Sequence, residues 1–240
     1  MRRRFFVQEV RNGKAQIEGD EARHLTRVLR VESGQRYEIS DNRNVYLAEI
    51  ETAHKETVVF RTLEKLPAAT PTARFQLYAA LIKFDRFEWI VEKATELGVT
   101  EIVPIEATRS ERGLEKAATK RLERWRRIAL EASQQSRRSH LPEICEPLSL
   151  AEAMARPATY RYVLDETPGV QPLFQALPAV RAAQDTVAIL TGPEGGWTDE
   201  ERASFTTAEW APVSMGPLIL RAETAVIAAL AVVTQAWLLR

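Results

Sequence analysis

The stretch Leu190-Thr-Gly-Pro-Glu-Gly-Gly-Trp-Thr-Asp-Glu-Glu201 takes the chain from an apolar strand to a helix start within a few residues. The strand is Thr186 to Leu190. Thr198 and Glu201, three positions apart, form the pattern of a capping box, in which side chains satisfy the free amides of a first helical turn. In an open α/β sheet a glycine-rich loop of this kind falls at the carboxyl end of a strand, where ligands bind. The loop has neither the G-x-G-x-x-G fingerprint nor the Lys-Ser/Thr ending of a phosphate-binding loop. Pro193 removes an amide donor, and Glu194 puts a negative charge where a phosphate needs a positive one. Three glycines also suit a tight turn with no ligand; if a ligand binds, the pattern points to one without phosphate, for which a cation is the better match.

Working outward, apolar runs and helical periodicity alternate. Phe75 to Ile82 reads as a strand, and Phe84 to Leu97 as a helix that Gly98 ends. Val99 to Ile105 is a strand, and Leu114 to Arg138 is one long helix with Leu122, Trp125, Ile128, Ala129 and Ala132 along one side. Tyr160 to Asp165 is a strand, and a helix is expected around Val170 to Arg181. This alternation predicts a parallel sheet covered by helices. A second loop signal is Met215-Gly-Pro-Leu-Ile-Leu-Arg-Ala-Glu-Thr-Ala225, with a turn at Gly216-Pro217. The helix after it, Ala222 to Leu238, is apolar almost all round, which calls for burial on all sides and suggests a partner subunit. Arg221 and Glu223 are costly to place beside a core without partners, so they are either functional groups or an ion pair at the helix start.

The first 65 residues have a different rhythm. Short alternating strands at 37–40, 45–50 and 57–63, with one helix from Glu21 to Val31, suggest a small β-barrel. Leu66 to Ala73 reads as a linker, which divides the chain into domains at 1–68 and 72–240.

The 33 Lys and Arg residues balance 33 Asp and Glu residues, but unevenly along the 240-residue chain. Residues 109–140 hold 10 basic and 4 acidic side chains, whereas residues 141–240 hold 6 and 12. A polyanion responds to local potential rather than to the total, so the basic block suits nucleic acid. Its centre is Lys120-Arg-Leu-Glu-Arg-Trp-Arg-Arg127, supported by Arg109, Arg112, Arg137 and Arg138. Lys83, Asp85, Arg86 and Glu88 form a charge cluster at a strand end, a pattern that a solvated face also produces. The lone Cys145 forbids an intrachain disulfide and fits a reducing cytoplasm. His24, His54, His140 and Cys145 are too scattered for a metal site to be expected, and no G-x-S-x-G elbow is present. The basic Met1-Arg-Arg-Arg-Phe-Phe-Val start lacks the apolar segment of a signal peptide, and the longest apolar run, Ala225 to Val233, is too short to span a bilayer.

Six segments in order resemble one family: Arg4-Phe-Phe-Val, His24-Leu-Thr-Arg-Val-Leu-Arg, Lys93-Ala-Thr-Glu-Leu-Gly-Val, Glu131-Ala-Ser-Gln-Gln-Ser-Arg-Arg, Gly192-Pro-Glu-Gly-Gly and Ile219-Leu-Arg-Ala-Glu-Thr-Ala. Together they are similar to the bacterial ribosomal RNA small-subunit methyltransferase E family of the SPOUT superfamily. Ala222 stands where that family commonly has Thr, and Trp197 where other apolar residues are frequent. The resemblance implies an α/β fold: a SPOUT-type domain with a C-terminal trefoil knot, preceded by a PUA-like β-barrel that binds RNA. It implies S-adenosyl-L-methionine as cofactor, S-adenosyl-L-homocysteine as product, no metal, and a cytoplasmic homodimer joined through the knot. The reaction implied is methylation of N3 of one uridine of 16S ribosomal RNA near the decoding centre, within the small subunit.

By the same resemblance, the cofactor would be held by Leu164, Asp165 and Glu166; by Thr191, Gly192, Pro193, Glu194, Gly195 and Gly196; and by Met215, Gly216, Leu218, Leu220, Arg221, Ala222 and Thr224. Arg221 is the expected stabiliser of the developing anion. Glu194 is a candidate proton acceptor or sulfonium contact, with a water-mediated base as the alternative. RNA contacts would come from Arg3, Arg4, His24, Arg27, Arg30, Lys83, Arg86, Arg109, Arg137 and Arg138. Two other readings stand beside this one: a SPOUT methyltransferase acting on another RNA, for example at a ribose 2′-hydroxyl, and a non-catalytic RNA-binding ribosome assembly factor.

Overall fold

In the computed structural model, which describes residues 3–67, 73–111 and 113–238, the chain separates into two units. One comprises residues 1–70 with 133–141, the other residues 71–132 with 142–240. The expected boundaries at 68 and 72, and Arg112 of the basic block, lie outside the described residues.

The first unit is built from β1 (Arg4–Phe6), β2 (Lys14–Glu18), α1 (Gly19–Arg27), β3 (Arg36–Ser40), β4 (Val45–His54) and β5 (Thr57–Lys65). Its sheet runs β1-β3-β4-β5-β2, with β1 parallel to β3 and the other pairs antiparallel. Register shifts in β4 at Leu47/Ala48 and Ile50/Thr52 add the local bend that a curved sheet needs. Phe5, Ile17, Ile39, Ile50, Val58 and Phe60 fill the concave side, covered by Ala22 and Leu25 of α1. The helix is shorter than its apolar spacing suggests, because the chain leaves helical geometry and passes through φ +51 at Arg30. Arg4 and Arg137 converge on the buried Glu38. Arg4 donates to its carboxylate at 2.7 and 3.1 Å and to the Arg137 carbonyl at 2.6 Å, while the Arg137 guanidinium pairs with the same carboxylate.

The second unit contains β6 (Arg74–Ala80), α2 (Phe84–Glu96), β7 (Glu101–Glu106), α3 (Leu114–Ala118), α4 (Leu122–Ser136), β8 (Glu143–Ile144), β9 (Leu148–Ser149) and α5 (Leu150–Met154). It continues through β10 (Tyr160–Leu164), α6 (Leu173–Ala176), β11 (Thr186–Thr191), α7 (Asp199–Thr207), β12 (Ala211–Val213) and α8 (Ala222–Leu238). The last residues of α4, from Ser133, group with the first unit. The sheet order is β12-β10-β11-β6-β7-β8, with β9 also on β7, and every pair is parallel. Residues of β6, β7, β10 and β11 are buried on both faces, as a helix-covered parallel sheet requires.

Two expected helices differ. The long helix at 114–138 is interrupted at Thr119–Arg121 by a turn of 3₁₀ helix, which resets the face that carries Leu122 and Trp125 into the core. The helix at 170–181 is reduced to the single turn Leu173–Ala176. Leu177 is extended at ψ 142, because the following Pro178 disfavours helical geometry in the residue before it. The strand β12 was not legible in the sequence. It is three residues long with Pro212 at its centre, a residue tolerated because the strand lies at the sheet edge.

Helix α8 packs Val226, Leu230, Val233 and Trp237 into the core, and the Trp237 indole donates to Asp185 at 2.9 Å. Thr224, Gln235 and Leu238 are exposed, and Ile227, Ala228 and Ala231 are half-buried. The expectation of burial on all sides is thus met on one side only within this chain. No helix among the described residues is long and apolar enough to cross a membrane.

At the start of β7, Glu101 is buried. It accepts from Gln76 at 2.7 Å and from the Cys145 thiol at 3.2 Å, and it pairs with Arg156. Sequence spacing did not show that Glu101, Glu143 and Cys145 place their polar atoms within 4.8 Å of one another. Burial, and then the hydrogen bond to Glu101, pushes the thiol up to about 12. An ordinary thiol near pKa 8.5 is roughly one-quarter thiolate at pH 8, whereas this one is on the order of one part in ten thousand. Labelling of Cys145 by a disulfide reagent at pH 8 is therefore expected to be at least a hundredfold slower in the native protein than in guanidinium. Comparable rates would contradict the network.

Candidate active site

The carboxyl ends of the neighbouring strands β12, β10 and β11 lie along one edge of the sheet, and each runs into a loop. The three loops surround a cleft of about 460 Å³, within the range of small-molecule sites. Leu164, Asp165 and Glu166 line it from the first loop, residues 191–197 from the second, and residues 215–222 from the third. Of the cofactor residues suggested by the motifs, all but Thr224 are at the lining. Thr224 is exposed on α8. Trp197, Pro217, Ile219 and Ala225 also line the cleft without having been singled out. The glycine motif and the Leu-Arg-Ala-Glu segment pointed at two of these loops, but an indole facing inward is visible only once the turn is built.

The second loop is shaped by close approaches. Gly196 donates to the Pro193 carbonyl at 2.9 Å, closing a four-residue turn, and has φ +67. A Cβ at Gly196 would lie 2.6 Å from Oε1 of Glu166, and one at Gly192 would lie 3.0 Å from the Trp197 ring. Trp197 is fully buried, packs edge-on against Phe205, and donates its indole N–H to the Leu164 carbonyl at 2.9 Å. The capping box of α7 forms as expected: Glu201 donates its amide to Thr198 and accepts from the Thr198 amide at 2.8 Å. The Glu201 carboxylate also accepts from the amide of Thr108 at 2.8 Å, which fixes the loop after β7. From that loop Arg109 donates to the carbonyls of Gly195 at 3.0 Å and Trp197 at 3.2 Å.

Charges around the cleft are largely compensated. Glu194 pairs with Arg86 of the first turn of α2 at 2.7 Å. The two oxygens of the buried Asp165 accept from Arg202 at 3.0–3.3 Å, and from the Thr167 amide and hydroxyl at 3.1 and 2.8 Å. Burial would raise the Asp165 pKa, but the hydrogen bonds from Arg202 and Thr167 outweigh it and hold the carboxyl below its usual range. Arg221 is exposed at the rim and lines the cleft. It forms no ion pair with Glu223 among the described residues. Glu223 is buried on the core side of α8 with Oε2 unpartnered. The helix-start ion pair is therefore not the role of these two residues.

The residues expected on RNA fall into two groups. His24, Arg27, Arg30, Arg3 and Lys83 are exposed. Arg4 and Arg137 are drawn to Glu38, Arg138 donates to the His140 carbonyl at 3.1 Å, Arg86 faces Glu194, and Arg109 supports the second loop. Further along the basic block, Arg124 pairs with Glu88 at 2.5 Å and Arg127 with Glu131 at 3.1 Å. Exposed pairs of this kind are worth about 0–1 kcal/mol and exchange readily for other anions.

A parallel α/β sheet with a three-loop cleft at its carboxyl edge, in a chain that also carries a small mixed-sheet unit, defines the class. Residues 69–234 match the RNA methyltransferase domain family and residues 17–63 the RNA methyltransferase PUA domain. The chain is 31% identical to the ribosomal RNA small subunit methyltransferase E of Bacillus subtilis (strain 168), over 91% of this chain and 88% of that protein. It is 36% identical to the enzyme of that name from Synechocystis sp. (strain ATCC 27184 / PCC 6803 / Kazusa), over 87% and 68%. The structure of the Neisseria gonorrhoeae ribosomal RNA small subunit methyltransferase E bound to S-adenosyl methionine superposes with a TM-score of 0.87 at 26% identity, covering 99% of this chain and 98% of that one. The chain belongs to the ribosomal RNA small subunit methyltransferase E family.

Two outcomes follow from this geometry. Gly196→Ala must place a side chain at positive φ against Glu166, and is expected to cost about 1–2 kcal/mol in urea unfolding. Asp165 has a depressed native pKa, so its contribution is present above the unfolded carboxylate value and is lost as pH falls through the native one. The stability gap between the wild type and Asp165→Asn should therefore be full near pH 7 and close below about pH 4, as measured by urea melts across that range.

Proposed function

We propose that the protein methylates small-subunit ribosomal RNA with S-adenosylmethionine as methyl donor, at N3 of one uridine of 16S RNA near the decoding centre. The observation that carries the reading is the convergence of three strand-end loops on one cleft whose lining holds carboxylates and lacks any phosphate cradle. The cofactor suits that lining. It is cationic and carries no phosphate, and the glycines at 192, 195 and 196 let Trp197, Arg109 and Glu166 pack directly on the loop backbone that shapes the cleft. The groups that would hold it are Leu164 and Glu166, the 191–196 loop, and Met215, Gly216, Leu218, Leu220 and Ala222, with Arg221 at the rim directed to the base rather than to the cofactor. Bound there, it supplies an electrophilic methyl group.

Uracil N3 carries a weakly acidic proton that must leave before the nitrogen attacks, so the chain must stabilise an anionic base. Arg221, exposed at the rim of the cleft and without an intramolecular ion pair among the described residues, is the cation placed to do so. Glu194 remains the candidate proton acceptor, and its pairing with Arg86 sets its orientation. N3 lies on the pairing edge of the base, so the uridine has to be unpaired or turned out before it reaches the cleft. RNA contacts are assigned to the exposed His24, Arg27, Arg30, Arg3 and Lys83, with Arg4, Arg86, Arg109, Arg137 and Arg138 as further cations. The proposal assigns RNA binding to residues 1–68 and catalysis to residues 72–240.

It also includes a homodimer and a trefoil knot through the three loops. The half-buried apolar strip of α8, together with Leu218 and Ile219 of the preceding loop at 77% and 87% exposure, supports burial against a second copy.

Arg221→Ala tests the assignment, with small ribosomal subunits from cells lacking the protein as substrate. Turnover is expected to fall at least a hundredfold while S-adenosylhomocysteine binds within about threefold of wild type. Methylation on N3 blocks base pairing, so the product is read as a reverse-transcription stop. Near-normal turnover by the variant would overturn the role of Arg221, and a modification elsewhere on the RNA would overturn N3.

A further inference from the structure

The motif reading treats Asp165 and Glu166 alike, as adjacent acidic residues of one loop, but the structure separates them. Asp165 has both oxygens taken by Arg202 and Thr167 and is buried. Glu166 lines the cleft with its side chain about half exposed. Only Oε1 has a partner among the described residues, Arg202 at 3.3 Å. Arg202 comes from α7, outside the lining, and it reaches both sides of the cleft. Nε and Nη2 hold Asp165, Nη2 holds Glu166, and Nη1 donates to the Trp197 carbonyl at 2.8 Å. One guanidinium thus ties the end of β10 to the glycine loop. The Glu166 carboxylate lies where a Gly196 side chain would otherwise be.

We propose that Arg202 is a positioning residue for the cofactor cleft, and that the carboxylate it presents, Glu166, accepts hydrogen bonds from donor groups of the bound cofactor. A carboxylate has about four acceptor positions, and the single Nη2 contact to Oε1 occupies one of them and leaves the others open. Oε2, unpartnered among the described residues, is left to accept from the donors such a ligand would carry, which are a ribose diol, an adenine amine and an ammonium. Asp165 serves as the anchor that orients Arg202. This inference rests on the S-adenosylmethionine reading of the site.

The test uses the full-length protein and calorimetry with S-adenosylhomocysteine and with 5′-methylthioadenosine, which keeps the diol and lacks the ammonium. Arg202→Met and Glu166→Gln are each expected to weaken S-adenosylhomocysteine about tenfold, and Arg202→Lys should recover part of the loss. In turnover the loss should fall on KM for S-adenosylmethionine, with kcat within about threefold. Because the two residues act as one unit, the double variant should be no weaker than Arg202→Met alone. Weakening of both ligands by Glu166→Gln would assign the adenosine part, its ribose diol or its adenine amine, and weakening of S-adenosylhomocysteine alone would assign the ammonium. Either supports the proposal. Unchanged binding by Glu166→Gln, or additive losses in the double variant, would overturn it. Should Arg202→Met fail to fold, Arg202→Lys and Glu166→Gln carry the same comparison. A wild-type protein that binds neither ligand would instead overturn the cofactor reading itself.

Discussion

The hydrogen bond from the Trp197 indole to the Leu164 carbonyl joins the last residue of β10 to the loop that leaves β11. Both groups are out of reach of water, so leaving either unpaired would cost about 1–3 kcal/mol. The indole also fills the space beside Gly192, where a Cβ would already be tight at 3.0 Å. A bulky ring, a missing side chain and a strand-end carbonyl are therefore mutually dependent. With that contact in place, the Pro193–Gly196 turn, the α7 cap and the Arg202 links all have a fixed support.

The electrostatics of the cleft follow a similar logic. Each carboxylate near the lining has a cation assigned to it: Arg86 for Glu194, and Arg202 for Asp165 and Glu166. These cations belong to helices rather than to the loops, so the loops are held by the scaffold. Arg221 is the charge at the rim without such an arrangement among the described residues. The neutral total of the chain conceals this pattern, and so does the basic surplus of residues 109–140. Part of that surplus is consumed internally, with Arg109 spent on two loop carbonyls and Arg137 on Glu38. Local charge counts indicate where a cationic surface can form, and side-chain geometry decides which cations remain available to a phosphate.

Legibility in the sequence tracked how local the governing interaction was. The helices α2 and α8 were readable because their apolar spacing, and for α2 a terminating glycine, lie within the segment itself. The capping box at Thr198 and Glu201 is likewise a four-residue affair and forms as read. The helix expected at 170–181 shrinks to Leu173–Ala176, because Pro178 restricts the backbone of the residue before it. The short strands β8, β9 and β12 carry too few residues for a period to show. They exist because a neighbouring strand offers unpaired amides and carbonyls.

By itself, the order of residues determined the alternation of strands and helices, the parallel sheet it implies, and the loops at 191–196 and 215–221 as the chemically distinctive segments. It also determined that any ligand there is poorly matched to phosphate, since Pro193 and Glu194 act through their own backbone and charge. Residue spacing did not join 164–166, 191–197 and 215–222, which only the family resemblance grouped; the tertiary structure gives the reason they share one cleft, because strand order places β12, β10 and β11 side by side although they are far apart in the chain. It decided that both oxygens of Asp165 are taken while Glu166 keeps Oε2 unpartnered among the described residues, because the difference is made by Arg202, 37 and 36 residues away. It also decided that Glu223 lies buried without Arg221. Pairing of charges depends on distances between side chains, and those distances are set by packing rather than by spacing along the chain.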